Sequence, residues 1–343
     1  MFNLKIFDVS AFVYTGSTAS EFKNRFYFNY PVGGIHYLMR YVTSALADKD
    51  YIVLAFDDRD SFRKKIMPCY KEGRKPNKVV ISQIQTLYEE LSAAGFSCYR
   101  FSECEGDDII SWACTQNMKK HDEVVIYGND RDLLHNVRGN VRFRSITPSV
   151  NSVWEGSFSD AVELGKHIPF NTISVNKVLE GCTSDKVPPF VSEKGYKGEY
   201  LYNVYLQALR VNNVPFSWEN TTNKDLFMQV FRQIDLITDA DLVDLGKRIK
   251  VIFPADCPAG VEIVPNTKKD IDPDVFAYFL SMYNDYSSSV MMQYRKRDLT
   301  EADKKLLRDK AYALSSGAYA VDKEIDVHDV DQLGSCLFLK EFD

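Results

Sequence analysis

Four short apolar runs in this chain end in carboxylates, and a helical pattern follows each of them. Asp8 follows Leu4-Lys5-Ile6-Phe7, and Asp57 follows Ile52-Val53-Leu54-Ala55-Phe56. Glu105, Asp107 and Asp108 open an apolar helical stretch just after Cys98-Tyr99-Arg100-Phe101. Asp130 and Asp132 come after Val124-Val125-Ile126-Tyr127. The runs have the length of buried strands, and their alternation with helices predicts a mainly parallel sheet covered by helices. In an open α/β sheet, ligands sit outside the carboxyl ends of the strands. The four groups of acids would then meet at one edge. So many like charges repel strongly unless something neutralises them. Hard divalent cations with oxygen ligands, Mg²⁺ or Mn²⁺, meet that need.

The pattern predicts strands over 3–7, 51–56, 97–101 and 123–127, with an aromatic and polar loop between the first strand and Tyr30. Helices are expected from Pro31 to about Ala47, from Val79 to Ala94 closed by Gly95, and over 106–118. A short helix should follow Asp130, and 141–154 should form a hairpin around Pro148-Ser149. From Phe158 the spacing is helical over 158–166, 171–180, 198–210, 222–237 and 239–249, with a loop at 181–197. Residues 254–272 read as an irregular connection, 273–314 as two more helices, and Gly317 to Asp343 as a weakly patterned tail.

The chain of 343 residues is long enough for one large core with additions or for two domains. Seven scattered cysteines without a CxxC exclude a disulfide framework or structural zinc, and five dispersed histidines give no His-rich metal site. No run has the length of a membrane span, so a cytoplasmic protein is expected, in the host cytoplasm if phage-encoded. The net charge of −6 argues against nucleic acid only as a mean. Between Arg59 and Lys78 the chain carries Arg59, Arg63, Lys64, Lys65, Lys71, Arg74, Lys75 and Lys78 against only Asp60 and Glu72. Such a local excess is the footprint of phosphate binding.

The ordered set of motifs resembles the 5′-nuclease superfamily of flap endonucleases, bacteriophage 5′-3′ exonucleases and the polymerase I 5′-nuclease domain. It comprises Asp8-Val9-Ser10, Phe56-Asp57, Phe62-Arg63 with Pro68 to Arg74, Glu105-Gly106-Asp107-Asp108, Gly128 to Asp132, and Gly181-Cys182-Thr183-Ser184-Asp185. The resemblance implies an α/β core with a mainly parallel central sheet at 1–157, bearing a basic helical arch at about 59–78. It implies a helical DNA-binding part at 158–250 with a helix–three-turn–helix near 171–210. Residues 251–343 would be a helical extension of unknown role.

By the same resemblance, two Mg²⁺ or Mn²⁺ ions would sit at one site. Asp8, Asp57, Glu105 and Asp107 would centre on the first. Asp108, Asp130, Asp132 and Asp185 would lie around the second or hold waters. Two ions about 3.5–4 Å apart can hold the attacking and leaving oxygens of an in-line displacement at phosphorus. Arg63, Lys64, Tyr70, Lys71, Arg74 and Lys197 would contact DNA, cations on phosphate and the ring on an unpaired base. The expected substrate is DNA with 5′ ends or flaps, including RNA–DNA primers, cut by a monomer without a membrane.

Two departures bear on this. Cys182 stands where the family supplies a carboxylate, and a neutral thiol is a poor ligand for hard Mg²⁺. Pro189, Ser192 and Glu193 replace glycine or apolar positions of a loop that in the family commonly holds K⁺, which argues against that ion here. Two alternatives follow: a DNA-binding homologue with weakened catalysis, and a PIN-type ribonuclease. PIN domains are shorter and lack the arch and the loop after Gly181.

Overall fold

Alternation along three strands builds the centre of the fold. In chain order the elements are β1 (Asn3–Asp8), α1 (Val9–Thr18), a ribbon of β2 (Phe26–Tyr27) and β3 (Tyr30–Pro31), α2 (Gly33–Ala47) and β4 (Tyr51–Ala55). Then come α3 (Phe62–Ile66), α4 (Lys78–Ala93), β5 (Cys98–Tyr99), α5 (Gly106–Asn117), β6 (Glu123–Gly128), β7 (Val141–Ser145) and β8 (Glu155–Gly156). The computed structural model describes residues 3–19, 26–27, 30–48, 50–146, 155–156, 170–211 and 224–282. The expected helices at 158–166 and beyond 282, and the tail, lie outside the described residues.

The sheet has the order β5-β4-β1-β6-β7-β8, with β8 antiparallel to β7 and the other pairings parallel. Leu4, Ile6, Val53, Ala55, Val124 and Ile126 point to one face, packed by α5 residues such as Ile109, Ile110 and Ala113. Phe7, Ile52, Leu54, Phe56, Val125 and Tyr127 point to the other, packed by α1, α2 and α4. This is the period of two expected of strands buried on both faces. Of the hairpin expected at 141–154, residues 147–154 lie outside the described residues; β7 pairs antiparallel with β8 at 155–156.

The loop expected after Asp8 is instead helix α1. Its buried side, Val9, Phe12, Val13 and Gly16, has helical spacing. Gly16 lies against Gly33 and Gly34 of α2, where a Cβ would come within 2.6 Å of the Gly33 oxygen. The glycine that weakens the helix pattern is thus what lets two helices touch. Pro31 lies in the ribbon, and α2 starts at Gly33.

A second body follows. Helix Phe170–Glu180, the loop 181–197 and helix Gly198–Val211 pack with helices Lys224–Arg232 and Asp239–Ile252 around Leu179, Phe190, Tyr205, Phe227, Phe231 and Ile249. Gly198 is pressed so close to helix Phe170–Glu180 that an added Cβ would lie 2.0 Å from the Leu179 oxygen. Gly198→Ala is therefore expected to cost about 2 kcal/mol or more, read as a lower urea midpoint. The described part of the C-terminal extension, 251–282, is no appendage. Trp112 Nε1 donates to the Ala255 oxygen at 2.7 Å, and Asn117 Nδ2 to the Ile263 oxygen at 3.0 Å. Helix Pro273–Met282 then places Phe276, Phe279 and Leu280 in the core beside Phe96.

Candidate active site

Because β1, β4 and β6 run parallel, their carboxyl ends deliver Asp8, Asp57 and Asp130 to the same edge. The start of α5 adds Asp107 from the side. The Asp57 Oδ1 accepts the Gly106 N–H at 2.6 Å, which ties β4 to α5. Asp8 caps α1 through the Ala11 N–H at 3.1 Å. Burial, and then the charges of Asp57 and Asp130, push the Asp8 carboxyl up to about 7. Burial, with Asp130 and Asp8 next, pushes Asp107 well above the usual carboxylate range. These four acids form an inner group of mutually repelling charges.

Asp132 and Asp185 form an outer pair. Asp132 lies in the 3₁₀ turn Arg131–Asn136 that Asp130 caps, so the N-cap and the acidic cluster share one residue. Burial and Asp130 raise Asp132 to about 6. Lys177, from helix Phe170–Glu180, is ion-paired with Asp132 and lies 3.8 Å from Asp185. Lys177 was not among the residues expected at the site, and its neighbours in sequence give no sign of it.

The basic segment 59–78, expected as a helical arch, seats its middle on this edge. Tyr70, Cys182, Val187 and Val251 form a small apolar cluster with Ile66 and Met67. The Lys71 N–H donates to the Asp185 oxygen at 2.7 Å, and Arg74 Nη2 reaches the Ser184 oxygen and Asp185 Oδ1, both at 2.9 Å. Glu105 Oε2 receives the Tyr70 hydroxyl at 3.0 Å and the Lys71 ammonium at 2.9 Å. Burial opposes the charge of Lys71, but Glu105 more than offsets it and holds the ammonium above its ordinary range. Lys71, Tyr70 and Arg74 thus reach the site, while Lys64 and Lys197 are exposed.

Two residues expected at the site have another task. Asp108 is fully buried, and Arg63 is 3% exposed. Arg63 grips Asp108 with two hydrogen bonds, of 2.8 and 2.6 Å, and donates through Nε to the Val251 oxygen at 2.8 Å. Asp108 also accepts the N–H groups of Glu105 at 3.0 Å and Ala255 at 2.7 Å. Although burial opposes it, Arg63 leads the contacts that hold Asp108 below the carboxylate range. With its oxygens so used, Asp108 is a structural group and not a metal ligand. Arg63 is likewise withdrawn from DNA. His135, also missed in the sequence, is buried near Asp132, and burial lowers its imidazole to about 4, so it stays neutral near pH 7.

The cleft lined by Lys71, Glu105, Asp107, Asp130, Asp132, His135 and Asp185 offers a donor set for a hard ion. Among the described residues no three Asp, Glu, His or Cys side chains close on one point as a finished cage, so ion binding requires side-chain adjustment. The inner group nevertheless fits a divalent ion. Its donors are carboxylate oxygens, and the Asp107 carboxylate has no hydrogen bond or ion pair among the described residues. Uncompensated burial there is what a cation would relieve.

Residues 3–160 match the family model of the 5′-3′ exonuclease N-terminal resolvase-like domain. A 5′-3′ exonuclease of Aquifex aeolicus is 31% identical over 274 residues, 74% of this chain and 88% of that protein. One from Buchnera aphidicola subsp. Schizaphis graminum is 30% identical over 130 residues, 36% of this chain and 44% of that one. The chain spans less than half the length of this and a second Buchnera relative that it matches. Among solved structures, the T5 D15 protein co-crystallised with metal ions is similar at a TM-score of 0.49 and 14% identity, over 85% of this chain and 96% of that one. The chain belongs to the 5′-nuclease superfamily, among the 5′-3′ exonucleases.

Proposed function

We propose that this protein is a divalent-metal-dependent 5′-nuclease that hydrolyses phosphodiester bonds near the 5′ ends or flaps of DNA. The observation that carries the reading is the inner group of Asp8, Asp57, Asp107 and Asp130 gathered at one sheet edge, from buried Asp8 through half-buried Asp57 and Asp107 to exposed Asp130, with Lys71 at its rim. A protein that only bound DNA would gain nothing from that repulsion. Mg²⁺ or Mn²⁺ suits its oxygen donors, and such an ion supplies Lewis-acid polarisation of a phosphoryl oxygen.

The chain's own groups supply the rest. Lys71 and Arg74 flank the acids and can turn from Glu105 and Asp185 to a phosphate once an ion neutralises those carboxylates. Tyr70, 4% exposed, is packed in the apolar cluster, so its part is to fix Lys71 and not to stack on a base. Loop 181–197 would bear on duplex backbone chiefly through exposed Lys194 and Lys197. Its N–H groups at Ser192, Glu193, Gly195 and Tyr196 are already used within the protein, which weakens phosphate capture and the case for K⁺ there. RNA–DNA primers are included among the substrates, and a cytoplasmic monomer remains the simplest form.

The test is cleavage of a 5′ flap, blunt duplex DNA and single-stranded RNA with Mg²⁺ and with Mn²⁺. Metal-dependent release of short products from DNA 5′ ends is expected. Cleavage confined to RNA would replace this reading with the PIN-type one, and duplex binding without cleavage would leave a binding protein. Lys71→Ala is expected to slow flap cleavage roughly 10²-fold with little loss of duplex affinity. Equal losses in both would reduce Lys71 to a general phosphate contact.

A further inference from the structure

The outer pair is built differently from the inner group. Asp132 and Asp185 face two cations of the protein itself. Lys177 is ion-paired with Asp132 and lies 3.8 Å from Asp185 Oδ2. Arg74 Nη2 lies 2.9 Å from Asp185 Oδ1. The Cys182 thiol donates to Asp185 Oδ2 at 3.2 Å, and its sulfur is 3.0 Å from the Ser184 hydroxyl oxygen. Both oxygens of Asp185 are therefore engaged. Two carboxylates meet two cations, and the residue that could have added a third negative charge is a thiol.

The inner acids have no ion pair of their own among the described residues: Lys71, whose charge also reaches Asp8 and Asp107, is paired with Glu105. A divalent ion entering between Asp132 and Asp185 would have to displace Lys177 and the thiol proton and would gain no new hard ligand. An ion entering the inner group displaces no cation of the protein from an ion pair.

We propose that the Lys177 ammonium is the resident cation of the Asp132–Asp185 pair, so that this chain takes a single divalent ion, at the inner carboxylates, where the resemblance implies two. The proposal rests on the metal-dependent reading above and fixes its ion count. Lys177 then acts as a positioning residue. It holds Asp132 and Asp185 in place at the cleft without exchanging with solvent ions.

The experiment counts Mn²⁺ on the metal-stripped full chain by calorimetry and by loss of the free-ion paramagnetic resonance signal. One ion per chain is expected for the unmodified protein, for Lys177→Arg, which keeps the charge, and for Cys182→Asp, which leaves the lysine in place. Two are expected for Lys177→Met combined with Cys182→Asp. Two ions on the unmodified protein, with affinities within tenfold, would overturn the proposal, as would a count of one in the double variant. A second measurement needs no variant. Amine-reactive labelling of Lys177 should be unchanged between metal-free and Mn²⁺-saturated protein, whereas a rise on saturation would show that an ion expels it. Failure of the underlying reading looks different. A protein that binds no Mn²⁺ in any form, or that binds one and cuts no DNA 5′ end, would sink the metal-dependent nuclease and not the ion count alone.

Discussion

Asp107→Asn is expected to abolish cleavage and at the same time to stabilise the metal-free protein. The loss of rate should be about 10³-fold or more, some 4 kcal/mol of transition-state stabilisation, because Asp107 is the inner carboxylate without a hydrogen bond or ion pair among the described residues and is proposed to hold the ion. Stability should move the opposite way. Burial and the charges of Asp130 and Asp8 raise the folded-state pKa of Asp107 above its unfolded value. Such a group contributes stability that is fully present below the unfolded pKa and is lost as pH rises through the folded one. Asp8, raised to about 7, acts in the same sense. Without metal, the inner acids should therefore weaken the fold progressively from about pH 4 to above pH 7. Asparagine carries no charge to desolvate. The variant should unfold roughly 5 °C higher than the unmodified protein at pH 8, and the difference should shrink towards pH 5. Thermal unfolding in a chelator at the two pH values reads this directly. A variant that melts lower at pH 8 would mean that Asp107 is held by contacts and is not strained by its neighbours. Adding Mn²⁺ should raise the melting temperature of the unmodified protein far more than that of the variant.

The sheet and its acids were legible in the sequence because both depend on short-range pattern. Alternation places Phe7 and Leu4 on opposite faces, and an acid after a parallel strand falls at the ligand edge whatever else the chain does. Helix α1 was hidden because Gly16, Ser17 and Thr18 weaken the helical signal, and only the close approach of Gly33 and Gly34 in α2 explains the glycine among them. The pairing of Lys177 with Asp132 spans 45 residues and depends on how the second helical body seats against the core. Nothing local to Asn176-Lys177-Val178 announces it. The contacts made by the basic segment were hidden for a related reason. Counting cations over 59–78 reveals its charge but not its seat, because Tyr70, Ile66 and Met67 find their apolar partners far away, at Cys182, Val187 and Val251.

Asp108 shows the same limit in its sharpest form, since a motif of three neighbouring acids concealed two different jobs. Helical geometry turns successive residues about 100° apart, so Asp107 and Asp108 cannot face the same surroundings. Asp107 looks to the sheet edge, and Asp108 looks inward to Arg63. The inward pair holds four segments together: α3, the start of α5, the end of helix Asp239–Ile252, and the strap at Ala255. Arg63→Ala is accordingly expected to destabilise the fold by about 3–5 kcal/mol, because it leaves a buried carboxylate without its counter-charge. Arg63→Lys should recover little, since an ammonium cannot supply the two parallel bonds and the third to the Val251 oxygen. Removing both charges with Arg63→Met and Asp108→Asn should cost clearly less than Arg63→Ala alone. Urea unfolding of the three variants decides the matter, with duplex-DNA affinity of the folded fraction as the control. If Arg63→Ala kept its stability and lost DNA affinity instead, Arg63 would be a phosphate contact that swings out of the core, and Asp108 would return to the acids of the site.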